Sequence, residues 1–225
     1  MEVKLLTELD VEVRRGEVLR YLGQKQGRPV PQKIAIALEK ELLRASELLH
    51  PRAAYVILME KDLPEQEVYA DARGAAFALS TIGPDLEREA ARFMDSGELT
   101  RGVILDAIGS EAAESLADRV NREICSEAHG MGFQAERRIS PGYGSYGLEE
   151  QRTFFRLLPA EALGIRLTEG FMMEPRKSVS FLVRLVTRSG SAEDRDPCSH
   201  CGLKNCPYRK EKAHGSTAAE DRSAP

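Results

Sequence analysis

Tryptophan is absent from this 225-residue sequence, and there are only four cysteines and four histidines. No apolar run approaches the ~20 residues that a membrane-spanning helix requires. The opening Met1-Glu2-Val3-Lys4 lacks the apolar stretch of a secretory leader. The expectation is therefore a cytoplasmic protein with no membrane partner. An excess of positive charge is also missing. Lys plus Arg is 32 and Asp plus Glu is 36, a formal net charge of −4. A general nucleic-acid coat needs the opposite balance, so no nucleic-acid partner is expected, although the net charge leaves room for a local basic patch. His50, His129, His200 and His214 are scattered, which leaves little support for a histidine-based triad. Dinucleotide (G-x-G-x-x-G), Walker-type and H-E-x-x-H patterns do not occur.

Apolar residues make up 42% of the chain and charged residues 30%, enough for a packed core. The length allows one large domain with a small appendage. Ile34, Leu38, Leu42, Ala45 and Leu49 recur at helical spacing after Pro31, and Pro51 stops that helix. Residues 85–130 are also helical in pattern, interrupted at Gly97, with Gly102 and Gly109 read as points of close packing. A shorter helix is predicted over 148–158. The apolar runs 53–59 and 74–81, and the segments 133–139, 165–171 and 178–187, read as strands. Val11 and Val13 alternate with charges and suggest one more. Segments 165–171 and 178–187 are expected to pair as a hairpin. The fold class is α+β, with a mainly antiparallel sheet covered on one face by long helices. Cys125 reads as a buried helix residue, and Arg176 and Lys177 as a solvated turn.

Two segments carry candidate chemistry. Arg138-Ile139-Ser140-Pro141-Gly142-Tyr143-Gly144 joins a strand to a helix. Backbone at glycines can approach a ligand closely, an arginine at a strand end can hold a carboxylate by two parallel bonds, and tyrosine offers a flat face with a polar rim. An ordinary turn with its arginine paired to a surface acid satisfies the same residues. The second segment is Cys198-Ser199-His200-Cys201-Gly202-Leu203-Lys204-Asn205-Cys206-Pro207. Its C-x2-C-x4-C spacing puts Cys198, Cys201 and Cys206 in one tight loop, which suits zinc or an iron–sulfur cluster. Cys125, His200, His214 or a partner's side chain are the choices for a fourth ligand. A reduced, unliganded cysteine loop is the alternative.

Arg138 to Tyr143, then Leu163-Gly164-Ile165-Arg166-Leu167-Thr168-Glu169, then Pro175-Arg176-Lys177-Ser178-Val179-Ser180 follow one another in the order R-x-x-P-G-Y, G-x-x-L-T-E/D, P-x-x-S-V-S. Together with Leu116-Ala117-Asp118-Arg119 they resemble the activation domain of cobalamin-dependent methionine synthase. Ile104 to Ser110 is similar to its stand-alone form. The resemblance implies a curved sheet with S-adenosylmethionine (AdoMet) in a shallow groove beside it. Residues 1–188 would be this AdoMet-binding domain, and 189–225 a flexible polar tail bearing the cysteines. The implied function is support of reductive methylation, the reactivation of cobalamin held by a partner methionine synthase. The chain would thus be a methyltransferase component with no nucleophile of its own. Arg138 would meet the methionyl carboxylate, Ser140 and Gly142 would offer backbone contacts, and Tyr143 would shape the groove. The implied partners are a core methionine synthase or another corrinoid protein, with a flavodoxin or other donor supplying the electron. The alternative from the cysteines is a metal-binding docking or electron-transfer module. The long family members have Pro-Ala-Cys-Pro after the tyrosine, where this chain has Gly144-Ser145-Tyr146-Gly147. The family's downstream ligand-contacting tyrosine has no counterpart between Tyr146 and Tyr208.

Overall fold

The computed structural model describes residues 2–25, 28–144 and 146–187. In chain order the elements are β1 (Val3–Leu6), α1 (Arg15–Tyr21), α2 (Gln32–Leu48), β2 (Arg52–Met59), β3 (Gly74–Thr81), α3 (Asp85–Asp95), α4 (Leu99–Gly130), β4 (Phe133–Ala135), α5 (Gln151–Leu157), α6 (Ala160–Leu163), β5 (Arg166–Leu167), β6 (Met173–Glu174) and β7 (Ser178–Thr187). Single 3₁₀ turns occupy Glu60–Asp62, Glu67–Tyr69 and Leu148–Glu150.

Five strands form one sheet in the order β1-β2-β3-β7-β4, every neighbouring pair antiparallel. The period-2 rule divides its side chains between two cores. Ala53, Tyr55, Ala76, Ala78, Phe181, Val183 and Leu185 face α1 to α4, and Ala54, Val56, Phe77, Leu79 and Leu182 face the short helices α5 and α6. Because both faces are covered, β3 is buried along its whole length, which explains its continuous apolar run. Phe77, Phe93, Phe154 and Phe181 are fully buried, each worth roughly 1.5–3 kcal/mol of transfer free energy.

The 32-residue α4 is the spine of the helical layer. A Cβ on Gly102 would lie 2.6 Å from Met94 Cγ and 2.9 Å from the Ala90 carbonyl oxygen, so this glycine sets the approach of α3 to α4. Gly109 does the same for Leu86, whose Cδ2 would be 2.5 Å from an added Cβ. Helix α2 is tied to α4 by Arg101, whose Nε donates to Glu41 Oε1 at 2.7 Å and whose guanidinium lies 3.8 Å from the Phe93 ring centre.

Three local expectations are corrected. Val11 and Val13 belong to no strand; they pack as coil against the helical core, and the N-terminal strand is β1. Segment 165–171 does not pair with 178–187. Only Arg166 and Leu167 are extended, and they form a separate two-stranded ribbon with β6. Thr168 causes this. Its N–H donates to the Met172 carbonyl at 2.9 Å and its hydroxyl accepts from the Met172 N–H at 3.0 Å, closing a turn where the strand was expected to continue. Cys125 is half-buried on α4. Among the described residues, no helix is long and apolar enough to cross a membrane.

Candidate functional site

The segment after β4 stays attached to the sheet. Ile139 exchanges both backbone hydrogen bonds with Leu182 of β7, at 2.8 and 2.7 Å. Alternation then sends Ile139 into the α5–α6 core and Arg138, one residue earlier, to the α4 side. The Arg138 guanidinium carbon lies 5.5 Å from the Phe181 ring centre.

The loop that follows is held by its own backbone. Gly142 has φ +89°, a left-handed conformation that favours glycine, and its N–H donates to the Tyr146 carbonyl at 2.8 Å. The Tyr146 N–H returns a bond to the Tyr143 carbonyl at 3.1 Å. The two tyrosines part here. Tyr143 is 74% exposed, whereas Tyr146 is 4% exposed within the α5–α6 core beside Tyr69, Phe77 and Phe154. Burial pushes the phenol pKa of both Tyr146 and Tyr69 upward, and both remain neutral at ordinary pH. Tyr146 therefore anchors the loop and Tyr143 is presented by it. Ser140 is half-buried, and its carbonyl accepts from the Tyr143 N–H at 3.3 Å.

Arg138, Ser140, Gly142 and Tyr143 thus lie along one short stretch at the sheet's β4–β7 side, which carries a partly buried guanidinium and, five residues on, an exposed ring. The local sequence gave no sign of what stands opposite Arg138. Glu111, Glu114 and Asp118 lie on one face of α4, and Arg138 Nη2 is 2.6 Å from Glu114 Oε2 and 3.0 Å from Asp118 Oδ1. Arg14, preceding α1, completes the cluster. Its Nε donates to Glu111 Oε1 at 2.6 Å, and its Nη2 is 3.6 Å from Asp118 Oδ2. The 111/114/118 spacing was the available signal, since i, i+3 and i+7 share a helix face.

The other two sequence motifs are structural in their visible contacts. Gly164, at φ +74°, ends α6 in the left-handed conformation. Ser178 Oγ donates to the Pro175 carbonyl at 2.7 Å and lies 2.9 Å from Thr81 Oγ1. Gly164, Arg166, Pro175 and Arg176 line a cleft of about 610 Å³ with Pro84 and Glu87. A second, apolar groove of about 400 Å³ lies between Leu22, Ile34, Leu99 and Val103. Neither includes the 138–143 loop. Lys177 is not a solvated turn residue: its Nζ is 2.8 Å from Asp106 Oδ1 on α4.

Cys198, Cys201 and Cys206 lie outside the described residues. Among the described residues, no group of three or more His, Cys, Asp or Glu side chains is arranged to hold a metal ion.

Residues 58–189 match the family described as vitamin B12 dependent methionine synthase, activation domain. The fold is similar to the crystal structure of the MetH reactivation domain bound to AdoHcy. The TM-score is 0.60 at 15% sequence identity, covering 85% of this chain and 80% of that one.

Proposed function

The chain belongs to the vitamin B12 dependent methionine synthase activation-domain family, and from that premise we propose that it binds AdoMet beside the 138–143 loop and supports reactivation of a partner's cobalamin. AdoMet would supply the methyl group, and the corrinoid would be held by a core methionine synthase. The observation that carries this reading is the loop itself. The family match includes it, the Ile139–Leu182 bonds pin it, and it carries both a partly buried guanidinium, Arg138, and an exposed aromatic ring, Tyr143. The solved reactivation domain was bound to AdoHcy, which is AdoMet without its methyl group.

The chain's own residues would bind and orient, which suits a reaction whose nucleophile is a metal on another protein. Arg138 matches a methionyl carboxylate in charge. Tyr143 offers an apolar face to the adenosyl part, and Ser140 and Gly142 supply backbone at close range. The domain would end near residue 188, with 189–225 as the appended tail. An electron donor such as a flavodoxin belongs to the same proposal.

Calorimetric titration with AdoMet tests the site. Binding by the full chain that Arg138→Ala abolishes is the expected result, and binding that Arg138→Ala leaves unchanged removes the site assignment. Reactivation of a core methionine synthase, with AdoMet and a reductant, tests the function. No reactivation under those conditions would contradict it.

A further inference from the structure

The contacts of Arg138 constrain how it can take a carboxylate. A guanidinium grips a carboxylate with two parallel bonds along one of two edges, Nε with Nη2 or Nη1 with Nη2. Both edges use Nη2. In this structure Nη2 donates to Glu114 Oε2 at 2.6 Å and lies 3.0 Å from Asp118 Oδ1. Any two-pronged grip on an incoming carboxylate therefore displaces at least one of these acids.

The two acids differ in how readily they can leave. Asp118 is shared between two arginines, with Oδ1 toward Arg138 and Oδ2 3.6 Å from Arg14 Nη2, and its side chain is 28% exposed. Glu114 has the longer side chain and is 40% exposed, so it can be taken up by water at little cost. Phe181 lies under the guanidinium and limits its retreat into the core.

We propose that Glu114 is a competing latch on Arg138, released when a ligand carboxylate binds, while Asp118 is the positioning residue that keeps the guanidinium in place. Glu114 lowers the affinity for carboxylate-bearing ligands and Asp118 raises it. This inference rests on the AdoMet-binding reading for the identity of the ligand, but the latch itself exists in the ligand-free chain.

The test combines binding and spectroscopy on the full chain. AdoMet is titrated calorimetrically into the wild type, Glu114→Gln and Asp118→Asn. Glu114→Gln is expected to bind about two- to fivefold more tightly, the range for losing one partly exposed competing ion pair. Asp118→Asn is expected to bind more weakly, with similar melting temperatures for both. Weaker or unchanged binding by Glu114→Gln overturns the latch. The second readout needs no AdoMet. Nitrogen-15 NMR of the arginine side chains should show slowed rotation of the Arg138 guanidinium in the wild type and faster rotation in Glu114→Gln. Free rotation in the wild type overturns the latch whatever AdoMet does. Slowed rotation without AdoMet binding means instead that the ligand assignment has failed and the ion pair stands.

Discussion

Lys177 Nζ stands 2.8 Å from Asp106 Oδ1, and the stem of the same lysine crosses α4 at Gly109. The start of strand β7, which lies between β3 and β4, is thereby fastened to the helical layer. The ammonium also donates to Ser110 Oγ at 2.8 Å, and the side chain is only 12% exposed. Both its charge and its stem contribute. Lys177→Ala is expected to cost about 1–2 kcal/mol by urea unfolding, and Lys177→Met about half that, because methionine keeps most of the packing over Gly109. Equal losses for the two variants would mean that the stem adds nothing.

The two tyrosines of the candidate loop should separate stability from binding. Tyr143 is exposed, so Tyr143→Ala is expected to change unfolding free energy by less than about 0.5 kcal/mol. It should weaken AdoMet binding by roughly three- to tenfold, the loss of one aromatic face. Tyr146 is buried among Tyr69, Phe77 and Phe154, and Tyr146→Ala is expected to cost about 3–5 kcal/mol. Binding would then fall because the loop loses its anchor. Denaturant melts and AdoMet titrations on both variants would expose the reverse assignment.

What was legible in the sequence depended on the range of the interaction. Helices α2, α3 and α4 follow from apolar spacing, and β2 and β3 from apolar runs of strand length, because both signals are local. The 165–171 segment misled because its apolar ends flank Thr168, whose turn-closing bonds to Met172 are invisible to a hydropathy count. The loop from Arg138 to Tyr143 was recognisable as a loop and as a family motif. Its acidic partners were not, since Glu114 lies 24 residues away along the chain and is brought near only by the path from α4 through β4. Tyr146 likewise looks like any loop tyrosine until the α5–α6 core is seen to enclose it.

The C-x2-C-x4-C spacing of Cys198, Cys201 and Cys206 predicts bound zinc or iron in anaerobically purified full-length chain. Cys201→Ser should lower the metal content, and AdoMet affinity should stay at the wild-type value, because none of the four loop residues 138, 140, 142 and 143 belongs to that segment. Elemental analysis with a visible spectrum separates iron from zinc. Wild-type protein without either metal would refute the expectation.

Glu111 should leave a mark on the pH dependence of stability. It is 1% exposed, and burial raises its pKa above the ordinary carboxylate value of 4.5 even though Arg14 Nε donates to it at 2.6 Å. A carboxyl group whose folded pKa is raised favours the folded state most when both states are protonated, below pH 4.5. As pH climbs, the unfolded chain ionises first, and this contribution is lost until the folded pKa is passed. Glutamine at this position cannot ionise in either state. The urea midpoint of Glu111→Gln should therefore gain on that of the wild type as pH rises above 4.5, and hold a constant difference once the folded carboxyl has also ionised. Other acids, such as Glu89 and Glu127 with their lowered pKa values, shift both proteins alike and cancel in the comparison. A difference that shrinks with rising pH would show that Arg14 more than offsets the burial of Glu111.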